Sequence, residues 1–284
     1  MNEISNQYHI QLKPKTGWFD IDLKEVWRYR DLIWLFTKRT FILRYKQTIL
    51  GPLWVILQPL MTTLIFTVVF GGIAGIPTDG VPQVLFYMGG NAVWGFFAAC
   101  LNGTASTFTG NAGVFGKVYF PRLVSPISTV LSSVANFGIQ LGMFLIFWVF
   151  YLITGQVSPN YTGILLLPFI LIYLGMLGLG FGIIVSSLTT KYRDLTMLVG
   201  FGVSLWMYIT PVVYPVSTLG NGGLYQLVML NPVTCAVEAF RWAFLGQGVM
   251  EPLYWVISVA VMAIVVFFGV VVFSRVEKTF MDTV

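Results

Sequence analysis

Charged residues are scarce in this chain, and their scarcity limits the kind of protein it can be. They account for 10% of the 284 residues, whereas 57% are hydrophobic. A soluble domain carries roughly 25% charged residues, because its surface must face water. The composition therefore predicts a polytopic membrane protein.

Histidine and cysteine are almost missing, which argues against several kinds of site. His9 is the only histidine, and Cys100 and Cys235 are the only cysteines. A zinc site needs a cluster of such ligands and a disulfide framework needs more cysteines, so neither is expected. Paired carboxylates and a nucleophile beside a base are also lacking. We therefore assign no catalytic residue, no metal site and no cofactor to this chain.

Six apolar segments are each near the ~20 residues that a helix needs to cross a bilayer. They predict an all-α fold with six transmembrane helices at residues 53–73, 84–101, 127–154, 164–188, 195–213 and 254–273. The second span is short, and Gly89-Gly90 is expected to break it. In the fourth span, Gly178, Gly182 and Ser186 recur every fourth residue, a pattern typical of close helix packing.

Two features lie outside these spans. Residues 1–52 are expected to form a cytoplasmic N-terminus with an amphipathic helix from about Leu23, whose apolar face carries Val26, Tyr29, Leu32, Ile33 and Phe36. Such a helix is typical of the membrane interface, although packing on a partner explains the same pattern. Within the six-span domain, 53–284, residues 214–252 contain apolar pieces too short to cross, so we interpret them as a re-entrant helical segment.

Positive charge is confined almost entirely to the segments between spans. Fifteen of the sixteen lysines and arginines lie in the N-terminus, in residues 105–126, in residues 189–194 or in the tail, and Arg241 is the exception. By the positive-inside rule, both termini and both of these breaks between spans are cytoplasmic. The distribution accounts for the net charge of +5 without nucleic acid as a partner.

The proposed spans contain no Asp, Glu, Lys, Arg or His, which argues against transport driven by an ion gradient. Gly116-Lys117 looks like part of a phosphate-binding P-loop, but Asn111 stands where the leading glycine belongs and Val118 where the hydroxyl belongs. Energy for transport would therefore come from another subunit. The breaks at 111–122 and 191–194 are natural docking points for it, although they could equally be plain charged loops.

Six motifs stand in a fixed order along the chain. They are RYKQTILGPLWVILQPL (44–60), GKVYFPRLVSP (116–126), KYRDL (191–195), TPVVYP (210–215), NP (231–232) followed by FR (240–241), and EKTFMDTV (277–284). Together they resemble the ABC-2 class of ABC exporter permeases, and they look most like the bacterial permeases for lipid-linked polysaccharides such as O-antigen, teichoic acid and capsule.

The resemblance implies a homodimer in the bacterial inner membrane, bound to two copies of a separate ABC ATP-binding subunit. That subunit would hold ATP and Mg²⁺, so this chain would not be an enzyme. The transported molecule would be a polysaccharide linked to polyprenyl pyrophosphate. Two alternatives stay open: an ABC-2 permease for a drug or small amphipath, and a membrane-embedded enzyme that modifies glycans.

Four sets of candidate residues follow. The breaks that the resemblance assigns to ATPase coupling contain Asn111, Lys117, Tyr119, Phe120, Arg122, Lys191, Tyr192, Arg193 and Asp194. Basic residues placed to meet a lipid phosphate are Arg39, Arg44 and Lys46. Aromatic residues proposed to line a sugar channel are Phe66, Phe70, Trp206 and Tyr208. The periplasmic gate comprises Tyr214, Asn231, Glu238 and Arg241.

Spacing adds a prediction about each of the last two sets. Phe66 and Phe70 are four residues apart and can share a helix face, whereas Trp206 and Tyr208 cannot both point the same way. Glu238 and Arg241 are three apart, so they are expected to neutralise each other. Plainer explanations exist for each set, because charged loops obey the inside rule and most aromatic residues face lipid or core.

Overall fold

The computed structural model describes residues 23–46, 51–118, 120–192, 194–220 and 222–283. All regular structure within these ranges is helical, as predicted. The helices are α1 (Leu23–Arg28), α2 (Arg30–Tyr45), α3 (Trp54–Phe66), α4 (Gln83–Ala105), α5 (Thr107–Phe115), α6 (Val124–Ile153), α7 (Tyr161–Ile164), α8 (Leu167–Thr189), α9 (Leu195–Ile209), α10 (Gly223–Met229), α11 (Pro232–Leu245) and α12 (Pro252–Thr283). A π-helical stretch, Thr67–Ile73, extends α3.

Within the part of the chain that the structure describes, five segments are long and apolar enough to cross a membrane, so the chain is a multi-pass membrane protein. They are Trp54–Ile73, Gln83–Ala105, Val124–Ile153, Leu167–Thr189 and Pro252–Glu277. The remaining predicted span, 195–213, is the shorter apolar helix α9, which ends at Ile209. Thr210 is extended, with ψ 138°, because the ring of Pro211 disfavours a helical residue before it.

The prediction that Gly89-Gly90 interrupts the second span is wrong, because α4 runs through both residues without interruption. The two glycines instead let other segments approach the helix closely. A Cβ atom on Gly89 would lie 3.0 Å from the ring of Phe240, and one on Gly90 would lie 3.0 Å from the carbonyl oxygen of Val212. The missing side chains therefore make room for α11 and for the segment that follows α9.

Close packing of α8 on α4 confirms the prediction from the four-residue repeat. A Cβ atom on Gly178 would lie 2.7 Å from the Cβ of Cys100, and one on Gly182 would lie 1.6 Å from the Oγ1 of Thr104. One turn further along, the Ser186 hydroxyl accepts a hydrogen bond of 3.1 Å from a backbone N–H at the start of α5. These contacts make α4 a central helix, which also packs against α3, α6 and α11.

The apolar face of the N-terminal helices packs on the protein, so it does not face the membrane as predicted. Val26 and Ile33 are buried, and the Thr37 hydroxyl donates a hydrogen bond of 3.3 Å to the Ser128 carbonyl of α6. The amphipathic period shows that one face must be covered, but lipid and protein cover it equally well. Trp27 and Trp34, exposed at 70% and 69%, form the side that can meet a membrane surface.

The region predicted to be re-entrant contains α10 and α11, and α11 is buried along nearly its whole length. Asn231 caps its start by accepting a hydrogen bond of 3.1 Å from the Val233 N–H, with Pro232 in the first turn. Gly246 ends it in the left-handed conformation, with φ 72°. At about 1.5 Å per residue, α11 is ~21 Å long and too short to cross ~30 Å of hydrocarbon.

The α4–α8 contact generates a stability prediction. Gly182→Ala places a methyl group against Thr104, and overpacking of this kind lowers the free energy of unfolding by about 1–3 kcal/mol. Gly202→Ala in α9 is the matched control, because a Cβ atom there meets nothing within 4 Å. Thermal unfolding in detergent should show a lower midpoint for Gly182→Ala and no loss for Gly202→Ala. Equal midpoints would contradict the packing described for α4 and α8.

Candidate functional site

A buried apolar cluster holds the N-terminal helices, α5, α6, α8 and α12 together at one end of the molecule. We call it the basal cluster, and its buried members are Val26, Ile33, Phe108, Phe115, Phe120, Leu123, Val124, Leu179, Ile183 and Phe273. Because it joins α2 to the C-terminal part of α12, the first and the last described helices approach the same end of the protein. Both predicted breaks also begin there.

Phe120, a predicted coupling residue, lies inside the basal cluster. Its ring packs edge-on against Phe36 of α2 and tilted against Phe115 of α5, with centroid distances of 5.6 Å in both cases. The side chain is only 5% exposed. Phe120 therefore links helices and cannot itself contact another subunit in this conformation.

Arg122 ties the first break to α12. Its backbone N–H donates to the Glu277 carboxylate at 3.2 Å, and its guanidinium donates to the Glu277 carbonyl oxygen. The guanidinium also lies 5.6 Å from the centroid of the Phe115 ring. Glu277 is a further functional candidate. It begins the tail motif EKTFMDTV, but the sequence placed it in none of the four candidate sets.

Asn111 belongs to α5, because residues 107–115 of the segment between the second and third predicted spans form a helix. Its side-chain amide donates to the Thr107 carbonyl at 2.9 Å and to the Ser125 hydroxyl at 3.0 Å. The second of these bonds fastens α5 to the start of α6. Asn111, like Phe120 and Arg122, therefore has a connecting position.

The exposed coupling candidates are Lys117, Lys191, Tyr192 and Asp194. The end of α8, which precedes the second break, bonds to the start of α5 through Ser186, whereas the first break follows the other end of α5. Tyr119 and Arg193 lie outside the described residues.

At the opposite end of the helices, Glu238 and Arg241 form the predicted pair. The Arg241 Nη1 lies 2.9 Å from the Glu238 Oε1, and the two side chains are 2% and 3% exposed. Arg241 also donates to the Val212 carbonyl at 2.9 Å and lies over the Phe86 ring at 3.7 Å. A buried charge needs such partners, because water is not there to solvate it.

The same pair holds the loops around it. The Glu238 Oε2 accepts a hydrogen bond of 3.0 Å from the Val249 N–H, and Arg241 donates at 3.4 Å to the Tyr214 carbonyl. The pair therefore connects α11 to the segments that follow α9 and precede α12. The three-residue spacing identified the pair, but these partners are distant in sequence and could not be inferred from it.

Asn231 and Trp206, predicted to belong to different sites, contact each other. The Trp206 Nε1 donates to the Asn231 Oδ1 at 3.1 Å, and the Asn231 Nδ2 donates to the Thr210 hydroxyl at 2.8 Å. The side chain that caps α11 thus also holds the end of α9. Tyr214 donates its hydroxyl to the Ile209 carbonyl at 3.0 Å and holds the same turn.

The predicted channel aromatics differ widely in exposure. Phe66 is 8% exposed and packs on Phe70 at 5.4 Å and on Tyr87 at 6.3 Å, which confirms that Phe66 and Phe70 share a face. Trp206 points inward to the Phe97 ring at 5.2 Å, whereas Tyr208 is 52% exposed. Tyr208 is therefore the most exposed of the four side chains in this conformation, and all four channel assignments stay predictions.

The basic residues predicted to meet a lipid phosphate lie near the end of α2. Arg39 and Lys46 are exposed there. The helical position of Arg44 is between them, but its side chain lies outside the described part. Cations at a helix C-terminus also favour the helix dipole, so their placement has a structural as well as a functional explanation.

Tyr225 of α10 makes a further polar link at the end opposite the basal cluster. Its hydroxyl donates to the Glu251 carboxylate just before α12. Burial raises the pKa of Tyr225, and the neighbouring carboxylate raises this pKa further. The phenol therefore stays protonated at neutral pH and keeps donating this bond.

Residues 31–245 match the family described as ABC-2 type transporter. A protein named O-antigen export system permease protein RfbA from Myxococcus xanthus is 28% identical over 84% of this chain and 90% of its own length. Two proteins of the same name from Klebsiella pneumoniae are 26% and 25% identical, each over 89% of this chain and 94% of its own length.

The Glu238–Arg241 geometry predicts a non-additive mutational effect. Arg241→Leu or Glu238→Leu leaves one buried charge without its partner, which costs about 3–5 kcal/mol of stability. The double variant removes both charges and should lose less stability than the two single variants combined. Thermal unfolding midpoints of the four proteins measure this coupling. Strictly additive shifts would mean that the two charges do not stabilise each other.

Proposed function

The chain belongs to the ABC-2 type transporter family, and on that premise we propose that it is the permease subunit of an ATP-driven exporter of a lipid-linked polysaccharide. The observation that carries the substrate class is the similarity to O-antigen export permeases over most of the chain. In this proposal the glycan, carried on a polyprenyl pyrophosphate, crosses the bacterial inner membrane from the cytoplasm.

The energy enters through a separate ABC ATP-binding subunit, which binds ATP and Mg²⁺. Two copies of it dock on a homodimer of this chain, against the exposed residues Lys117, Lys191, Tyr192 and Asp194. The basal cluster supports this role, because Phe120 and Arg122 connect the first break to α2, α5 and α12. A displacement of the break would thus move several helices at once.

The exposed face of α9 supports a second copy as a neighbour. Val203 is the only buried residue of this helix in the described chain, while Met197, Phe201 and Leu205 are exposed at 84%, 65% and 49%. A membrane helix can meet lipid with such a face, but a homodimer would place α9 beside a shared path. Tyr208 lies on the same exposed helix.

The orientation rests on the positions of charge and termini. The basal cluster gathers the N-terminal helices, both breaks and the end of α12, and these segments carry most of the positive charge. The positive-inside rule makes this end cytoplasmic. Arg39, Arg44 and Lys46 then lie near the leaflet where the lipid pyrophosphate begins its passage, and each charge attracts anionic groups by ~1 kcal/mol.

Reconstitution tests the proposed function. The chain, copurified with its ATP-binding subunit, should move a polyprenyl-pyrophosphate-linked glycan across a liposome membrane only when ATP and Mg²⁺ are supplied. Movement is measured as the loss of glycan accessibility to a glycosidase outside the vesicles. Equal transport of an unrelated amphipathic drug and none of the glycan would instead favour a drug permease.

Charge reversal separates docking from folding in the same system. Lys117→Glu with Lys191→Glu should abolish copurification of the ATP-binding subunit and leave the unfolding midpoint unchanged, because both side chains are exposed. Phe120→Ala is the contrasting variant, and loss of its buried ring should cost about 3–5 kcal/mol of stability. Normal ATPase binding by the charge-reversed protein would mean that the breaks are only loops.

A further inference from the structure

A polar groove of about 430 Å³ lies between α3, α4 and α6, away from every site described above. We call it the amide groove, because four of its lining side chains are amides: Gln58, Asn91, Asn136 and Gln140. Trp54 and Thr62 of α3 line it as well. The volume falls within the roughly 300–1,000 Å³ of small-molecule sites.

The floor of the groove is the one strip of central α4 that its neighbours leave uncovered. Positions 92–94, 96 and 97 of α4 are buried, whereas Asn91, Gly95 and Ala99 are only partly covered. Small residues at 95 and 99 give the groove its depth. A Cβ atom on Gly95 would lie 3.8 Å from the Gln140 Oε1, so the Gln140 amide lies directly above this floor.

Three of the amides have unused hydrogen-bonding capacity. Among the described residues, the side chains of Gln58, Asn91 and Gln140 make no hydrogen bond to the protein. An amide facing hydrocarbon without a partner is costly, so polar groups at this depth belong beside water or a ligand. Three such amides from three helices, facing one groove, indicate a hydrogen-bonding ligand.

The chemistry of the lining residues selects the kind of ligand. Among the described residues that line the groove there is no lysine or arginine, so none of them would neutralise a phosphate. An amide both donates and accepts hydrogen bonds, as a sugar hydroxyl does. Trp54, 47% exposed at the start of α3, adds an aromatic face against which the C–H side of a sugar ring can pack.

We propose that the amide groove binds an uncharged, hydroxyl-rich sugar unit. This inference rests on the proposed function, in which that unit belongs to the exported glycan. Gln58 and Asn136 lie roughly 6 and 18 Å along their helices from the end that holds the basal cluster. Asn91 and Gln140 lie roughly 21 and 24 Å from the same end, so the groove extends from near the breaks, where the glycan would enter, to about the middle of the helices.

The test uses the full chain in lipid nanodiscs, with no ATPase and no export step. Thr62→Cys places a thiol in the groove, and the native Cys100 and Cys235 are buried. Dodecyl maltoside should slow maleimide labelling of this thiol, whereas octaethylene glycol dodecyl ether, with the same alkyl chain and no sugar, should not. Equal slowing by both amphiphiles would overturn the proposal, since it would show that the groove takes any alkyl chain.

Variants link the protection to the amides. Asn91→Leu or Gln140→Leu should weaken maltoside protection roughly fivefold, the value of one lost hydrogen bond. Gln156→Leu, an exposed amide outside the groove, is the matched control and should change nothing. Undiminished protection in both groove variants would contradict the assignment. If the leucine variants fail to fold, the comparison of the two amphiphiles on the Thr62→Cys protein still tests the proposal.

The outcomes keep the two proposals apart. Sugar-dependent protection without glycan export by the reconstituted complex would leave the groove standing and remove the proposed exporter function. Glycan export without sugar-dependent protection would overturn the proposal for the amide groove and leave the proposed exporter function standing.

Discussion

Hydrocarbon offers no hydrogen-bond partners, and this constraint governs where the few polar side chains of the protein lie. Arg241, the one positive charge away from the termini and breaks, is buried with Glu238, two backbone carbonyls and the Phe86 ring. The charged residues of the breaks lie outside the predicted spans. Four amides from α3, α4 and α6 share one groove. The buried charges and these amides thus have a partner or a common cavity.

The basal cluster gives the membrane domain a mechanical connection to its surface breaks. Lys117 is exposed, whereas the neighbouring Phe120 and Arg122 pack against α2, α5 and the end of α12. In the proposed function, the exposed surface binds the ATP-binding subunit while the interior carries the movement. The chain itself has no complete phosphate-binding loop, which is consistent with energy arriving at these breaks.

Local patterns in the sequence predicted the structural features that depend on residues close together in one helix. The repeat of Gly178 and Gly182 predicted that α8 packs closely on another helix, and the spacing of Glu238 and Arg241 predicted their pairing. The expectation for Gly89-Gly90 was wrong because their role depends on Phe240 and Val212, which are distant in sequence. Likewise, periodicity found the apolar face of α2 but not the α6 surface that covers it. The amide groove went unnoticed because its amides come from three separate helices.

In the proposed mechanism, the exposed breaks and the helices behind them move together. Hydrogen–deuterium exchange of the complex with its ATP-binding subunit, with and without ATP, tests this coupling. We expect ATP to change exchange at residues 116–118 and, in the same step, in α2 and around Glu277. A change confined to the breaks, with α2 and α12 unaltered, would contradict it.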